Sequence, residues 1–236
     1  DRAQYGRAAG HAALPAAFYH VTAHVPAQVP AGGDRGVFSF CMCPGGWVVA
    51  SATETGGLCV NGMSLSRRDS PFANSALVVS VEPRDFGGDG PLAGIAMQQR
   101  LERLAFEAGG GGYVAPAQRV DDFLAGRSTD SPLRSSYLPG VAPARLDAVL
   151  PGFVTEALRK ALGRFGKMLP GFAGAEAQLV GVETRTSAPV RILRDPRSLQ
   201  SPSMAGLYPA GEGAGYAGGI VSAAIDGLRI ADAILA

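Results

Sequence analysis

Residues 206 to 236, GLYPAGEGAGYAGGIVSAAIDGLRIADAILA, place glycines at 211, 213, 215, 218 and 219 between a short apolar run and a long amphipathic one. That order predicts a strand over 207–210, a turn over 211–215 and a helix over about 217–235. Ile220, Ala224, Leu228, Ala231 and Leu235 recur at helical spacing and form its expected inner stripe. A carboxylate that ends a strand accepts hydrogen bonds from sugar hydroxyls. The free amides of the following helix present partial positive charge to an electron-rich group. Glu212 and the turn after it suit both roles. The glycines let the backbone approach a flat ring or a phosphate with no Cβ in between.

The chain of 236 residues is long enough to bury a core as one large domain or two small ones. Hydrophobic residues at 47% and charged residues at 17% argue against disorder, and a net charge of +1 removes a general electrostatic case for nucleic acid. The 33 glycines and 17 prolines cluster between apolar runs and therefore read as turns. Cys41, Cys43 and Cys59 are odd in number and lack C-x-x-C spacing, so a disulfide framework is not expected and a cytoplasmic setting is. There is no apolar window of membrane-spanning length and no signal-peptide layout, so no membrane is expected. The chain opens at Asp1 in mid-pattern and without methionine, which points to a longer parent.

From Gly36 to Glu82 the runs VFSFCMC, WVVASA, LCV and ALVVSVE alternate with PGG and TGG, and predict a meander. In the first run Val37, Ser39, Cys41 and Cys43 share one face. Phe38, Phe40 and Met42 share the other, which is the expected core face. Met97, Leu101, Leu104, Ala105 and Ala108 mark a helix that stops at the glycines 109–112. Its opposite side carries Gln99, Arg103 and Glu107. A loop-rich stretch runs on through Tyr137. A second helix is expected over 153–169, with Val154, Ala157, Leu158, Ala161, Leu162 and Phe165 inward. A buried strand follows over 177–182 and runs into ETRTSAPVRILR, where arginines sit beside hydroxyls and can hold an anion.

Several ordered blocks carry a family resemblance: DRAQYG, RGVFSFCMCPGGWVV, NGMSLSRRDSPFANSALVVSV, GGGGYVAPAQRVDDF, VETRTSAPVRI and GLYPAGEGAGYAGGIVSAAIDG. They resemble the C-terminal half of an NAD(P)/FAD-dependent oxidoreductase family, the uncharacterised FAD-dependent dehydrogenases. The resemblance implies a mixed α/β (α+β) fold in two parts. Residues 1–182 would be an antiparallel-rich, inserted substrate-side domain. Residues 183–236 would return to a Rossmann-like dinucleotide-binding domain and complete its FAD site with the strand-turn-helix. No G-x-G-x-x-G cradle follows an apolar strand near the N-terminus, so the first half of that site is expected elsewhere. The implied reaction is hydride transfer between a small-molecule substrate, or NAD(P)H, and FAD. The alternative is a non-catalytic fragment or binding module that lacks the N-terminal FAD motif.

On this reading the cofactor-binding residues are Gly211, Glu212, Gly213, Ala214, Gly215, Tyr216, Ala217, Gly218, Gly219 and Ile220. Arg185, Thr186, Ser187 and Arg191 are substrate-side candidates, because two arginines can clasp a carboxylate or phosphate in bidentate fashion; the competing reading is a surface ion pair. The resemblance puts this block beside the flavin ring. Cys41 and Cys43 are weighed as packing residues first, then as flavin-side lining, then as a redox pair. His20 and His24 stand four apart without a further ligand pair, so no metal is expected. Tyr113, Tyr137 and Tyr216 read as core or rim residues, with Tyr216 close enough to the turn to touch a ring. No G-x-S-x-G elbow or Ser-His-Asp order supports hydrolysis, and no catalytic residue is assigned.

Overall fold

The computed structural model describes residues 5–15, 21–26 and 34–235. His20 and the first four residues of DRAQYG lie outside them. The elements, in chain order, are β1 (Val21–Val25), β2 (Arg35–Pro44), β3 (Trp47–Ala50), β4 (Val60–Met63), β5 (Ala73–Val79), α1 (Ala93–Ala108), β6 (Ala115–Arg119), α2 (Val120–Ala125), β7 (Val141–Pro143), α3 (Gly152–Met168), β8 (Gln178–Val180) and α4 (Ile220–Leu235). They fall into two units. The first comprises Asp1–Val81 and Leu101–Glu183, and the second Glu82–Arg100 and Thr184–Ala236.

The first unit is mixed α/β and mostly antiparallel. β1, β2 and β5 form one antiparallel sheet in the order β1-β2-β5, and β3 and β4 form a separate antiparallel pair. β6 sits between a parallel partner, β7, and an antiparallel one, β8. The expected meander is thereby corrected. β2 pairs with β5, and the β3–β4 hairpin lies between them in sequence and outside their sheet.

Helix α3 explains which face of the first sheet is buried. Ala157, Leu158, Ala161, Leu162 and Phe165 recur at helical spacing and pack with Val21, Ala23, Val25 and Val37 in one core cluster. Each large side chain so buried contributes about 1.5–3 kcal/mol. The apolar face read for this helix is therefore observed. The face chosen for β2 is not: Val37 and Ser39 are buried, Phe38 and Phe40 are only half-buried, and Met42 is exposed. β1 decides this, because Ala23 pairs with Val37 and Val21 with Ser39, and the alternating β1 side chains carry the core with them.

The stretch read as loop-rich contains β6 and α2. Gln118 of β6 is fully buried. Its Nε2 donates to the Arg127 carbonyl at 2.7 Å, and its Oε1 accepts from the Leu146 amide at 2.9 Å. A polar side chain completes this core because both of its functions are matched.

In the second unit, Gln98 Nε2 donates to the Thr184 carbonyl at 2.8 Å, which ties α1 to the segment leading into the arginine-rich block. A Cβ at Gly94 would lie 2.7 Å from Pro189, so glycine sets the closeness of that packing. No strand occurs among the described residues of this unit, and the strand expected over 207–210 is extended coil. A strand needs a partner backbone. Here the Leu207 carbonyl accepts instead from the Ser201 amide, and the Pro209 carbonyl from the Arg194 side chain. Helix α4 is present, but its expected inner stripe faces outward. Ile220 is 91%, Leu228 67% and Leu235 85% exposed, whereas Asp226 and Ile230 are buried.

Candidate functional site

Asp226 is the residue around which the glycine turn is arranged. Arg194 Nη2 reaches Asp226 Oδ1 at 2.6 Å and Nη1 reaches Oδ2 at 2.9 Å, a bidentate pair with both side chains nearly closed off from solvent. The Gly211 amide donates to Asp226 Oδ2 at 2.9 Å, and Arg194 Nη1 also donates to the Pro209 carbonyl at 2.8 Å. One ion pair thus fixes the start of the turn to the middle of α4. The Arg194 guanidinium, and then the Gly211 amide, hold the Asp226 carboxyl down at about 2, from an ordinary 3.8.

The turn closes on itself and on the arginine-rich block. The Gly215 amide donates to the Glu212 carbonyl at 2.9 Å and the Tyr216 amide to the Gly211 carbonyl at 2.9 Å. Gly211 and Gly215 take φ values of +69° and +82°, which side-chain-bearing residues adopt only with strain. The Ile192 amide donates to the Ala214 carbonyl, and Arg191 Nε to the Gly215 carbonyl at 3.0 Å. The Tyr216 hydroxyl donates to the Ile192 carbonyl at 2.9 Å, and its ring lies 3.6 Å from the Arg194 guanidinium carbon and 5.1 Å from that of Arg191. The two blocks singled out in the sequence, around 185–191 and 211–220, therefore meet within the second unit.

The outer side of the turn is open. A Cβ built at Gly213, Gly218 or Gly219 meets nothing within 4 Å, and α4 begins directly after them. Ser222 Oγ accepts from the Gly218 amide at 3.3 Å and donates to the Gly219 carbonyl at 3.0 Å. Ala214 is buried, Glu212 and Ala217 are half-buried, and Ile220 projects outward. In the block before the turn, Ser187 is exposed, Arg185 is half-buried, and Thr186 Oγ1 is closed off without a hydrogen-bond partner. Arg191 serves the turn itself, through Gly215 and Tyr216.

Cys41 and Cys43 belong to the first unit and do not share a face. Pairing runs Phe40 to Ala76 and then Cys43 to Asn74, so β2 carries one extra residue there. Cys41 sits in this bulge with φ +52°, exposed, while Cys43 is buried and its thiol donates to the Cys41 carbonyl at 3.3 Å. Burial and, to a smaller extent, the Glu183 carboxylate push the Cys41 thiol up; burial and then Cys41 push Cys43 up. Both shifts disfavour the thiolate, which weighs against a reactive pair. His24 is described and its pair partner in sequence is not; no metal-holding cluster of His, Cys, Asp and Glu occurs among the described residues. Nor is any helix among them long and apolar enough to cross a membrane.

Sequence reasoning passed over Asp226 and took Arg194 only as one of three arginines able to hold an anion. The available signal was an acid at 226 set inside the apolar run IVSAAIDGL. The Asp226 shift fixes a pH dependence. A depressed carboxyl contributes stability that is present above its unfolded value and lost as pH falls through its folded one. A carboxyl-carbon titration of Asp226 is expected to show a midpoint near 2. A midpoint near 3.8 would mean that the pair does not form in solution.

Comparison with known proteins defines the class. The chain belongs to the family described as FAD-dependent protein, C-terminal domain-like, which matches residues 1–186. An uncharacterized protein of Clostridium beijerinckii (strain ATCC 51743 / NCIMB 8052) is 49% identical over 234 residues. The match takes in 98% of this chain and 43% of that relative, so the chain spans less than half of the relative's length.

Proposed function

We propose that this chain is the C-terminal part of an FAD-dependent oxidoreductase that transfers hydride between a small substrate, or NAD(P)H, and FAD. The observation that carries the reading is the glycine turn, held by Arg194 and Asp226, with its 213, 218 and 219 backbone open to a flat or anionic group. Its residues fit FAD on three counts. The Cβ-free surface admits a ring or phosphate, the start of α4 offers partial positive charge, and Glu212 stands at the turn to accept sugar hydroxyls. FAD supplies the two-electron chemistry when bound.

The chain's own groups bind and orient. The backbone of 213–219 would hold the ring's pyrimidine edge, and Glu212 would anchor the ribityl or ribose side. Arg185 and Ser187 orient the substrate, and Thr186 brings an unmatched hydroxyl to the same block. The second unit is the part that returns to a Rossmann-like domain supplied by the remainder of a longer protein. The outward apolar side of α4 supports this, because a sheet covering it would bury that side. The first unit is the substrate-side domain, and the family match takes it in whole.

The Clostridium beijerinckii relative, purified and supplied with FAD, is expected to retain a flavin absorbance band at about 450 nm after gel filtration. A colourless protein at equal FAD exposure would overturn the flavin reading. Glu212→Ala, made at the aligned position, is expected to weaken FAD retention about tenfold or more, since it removes charge-assisted hydrogen bonds to hydroxyls.

A further inference from the structure

Within the first unit, β5 and β8 each end a sheet, in the orders β1-β2-β5 and β7-β6-β8, so each keeps one edge without a partner strand among the described residues. Register says which backbone groups face those edges, because hydrogen-bonded positions alternate along an antiparallel pair. The Ser80 amide donates to the Gly36 carbonyl, so Val78 and Ala76 face β2, while Leu77 and Ser75 turn their amides and carbonyls outward. On β8 the Ala177 carbonyl accepts from the Val120 amide and the Gly181 amide donates to the Pro116 carbonyl. Leu179 between them faces β6 as well, and Gln178 and Val180 turn outward.

The two open edges bound one cavity of about 840 Å³. Its wall takes in residues 73–77 in unbroken succession on one side and 176–180 on the other. A strand met from one face shows only every second residue, so unbroken runs mean that the cavity meets both strands edge-on. β4 closes one end and touches both edges. The Val60 amide donates at 2.9 Å to the carbonyl of Val182, the next outward position on the β8 side after Val180, and Gly62 packs so closely on Asn74 of β5 that a Cβ there would lie 2.2 Å from its Oδ1. A single strand thus reaches from edge to edge at that end. Leu162 of α3, with Leu77, Leu179 and Phe172, belongs to the core packing around α3 and also lines the cavity.

An open sheet edge is a template for another backbone, and two edges on one cavity are matched together only by a chain that carries donors and acceptors on both of its sides. Strand spacings set about 160 Å³ per residue, so the cavity suits about five residues in extended form. The apolar wall asks for apolar side chains at alternate positions. More than half of the Clostridium beijerinckii relative lies outside the match to this chain, which takes in 43% of that protein.

We propose that this gap receives a strand of about five residues from the part of the longer protein that lies outside these 236 residues, and that the strand pairs with β5 and β8 and joins their two sheets into one. The inference rests on the reading of the chain as part of a longer protein and on nothing that concerns FAD.

The test uses the full-length Clostridium beijerinckii relative. Two variants carry the photo-cross-linker p-benzoylphenylalanine, one in place of the residue aligned with Ala73 and one in place of that aligned with Glu176; both positions are exposed and line the cavity from opposite edges. Irradiation followed by peptide mass spectrometry is expected to join both probes to the same segment, within one molecule and outside the aligned 236 residues. In the unaltered relative, the amides aligned with Leu77 and Val180 are expected to exchange about 100-fold or more slowly than unpaired amides. Cross-links confined to the aligned residues, cross-links between two copies or to no segment at all, or unprotected amides at both positions would each overturn the proposal. Should a probe disturb folding at one edge, the variant at the other edge and exchange in the unaltered protein decide. Flavin is not read in any arm, so failure here leaves the flavin reading standing.

Discussion

Arg194→Met is expected to destabilise the second unit by about 3–5 kcal/mol, the cost typical of leaving one member of a buried ion pair alone. The substitution keeps much of the aliphatic length of the side chain and removes every donor. Of its hydrogen bonds among the described residues, Asp226 then keeps the one from the Gly211 amide, and the Pro209 carbonyl loses the one from Arg194. Combining Arg194→Met with Asp226→Leu is expected to cost less than Arg194→Met alone, because no charge remains buried. Native-state hydrogen exchange at the Gly211 and Tyr216 amides reads the effect where it arises. A change below about 1 kcal/mol for the single substitution would show that the pair behaves as an exposed one and does not hold the turn.

Phe165→Ala is expected to cost the first unit about 3–5 kcal/mol, as large-to-small changes in packed cores do. Phe165 is fully buried in the cluster that joins α3 to β1 and β2, and its ring meets Phe172 edge-to-face at 5.9 Å. Leu162 and Ala161 pack in the same cluster from the preceding turn of α3 and leave little room for collapse into the space. The exposed Met168, three residues further along α3, is expected to tolerate alanine within about 0.5 kcal/mol. Urea unfolding followed by far-ultraviolet circular dichroism compares the two. Equal effects would mean that α3 does not seal this core.

Helix α3 was legible in the sequence because its apolar residues keep a strict helical spacing and nothing tertiary had to be known to see it. β2 and β5 were legible as strands from their β-branched and aromatic content, yet the buried face of β2 was not. That choice depends on β1, whose five residues VTAHV offer little on their own until they pair with 35–39. The bulge at Cys41 also lies beyond strict alternation, which assigned both thiols to one side. For the site, residues 211–220 announced themselves by glycine content, but the residue that organises them did not. Asp226 reads as a minor interruption of an apolar helix, and its meaning appears only when Arg194, 32 positions earlier, is seen against it. The strand over 207–210 failed for a related reason: apolar residues can form a strand only where another backbone is available to pair with them.

Hydrogen exchange of the Clostridium beijerinckii relative, with and without saturating FAD, tests most directly whether the turn is a flavin-facing surface. Amides in the segment aligned with residues 211–220 are expected to slow markedly on FAD binding, with those aligned with 213, 218 and 219 among them, because their side of the turn is open in the structure. If FAD binds and protection falls wholly on other segments while this one exchanges at its original rate, the turn held by Arg194 and Asp226 is not where the cofactor sits.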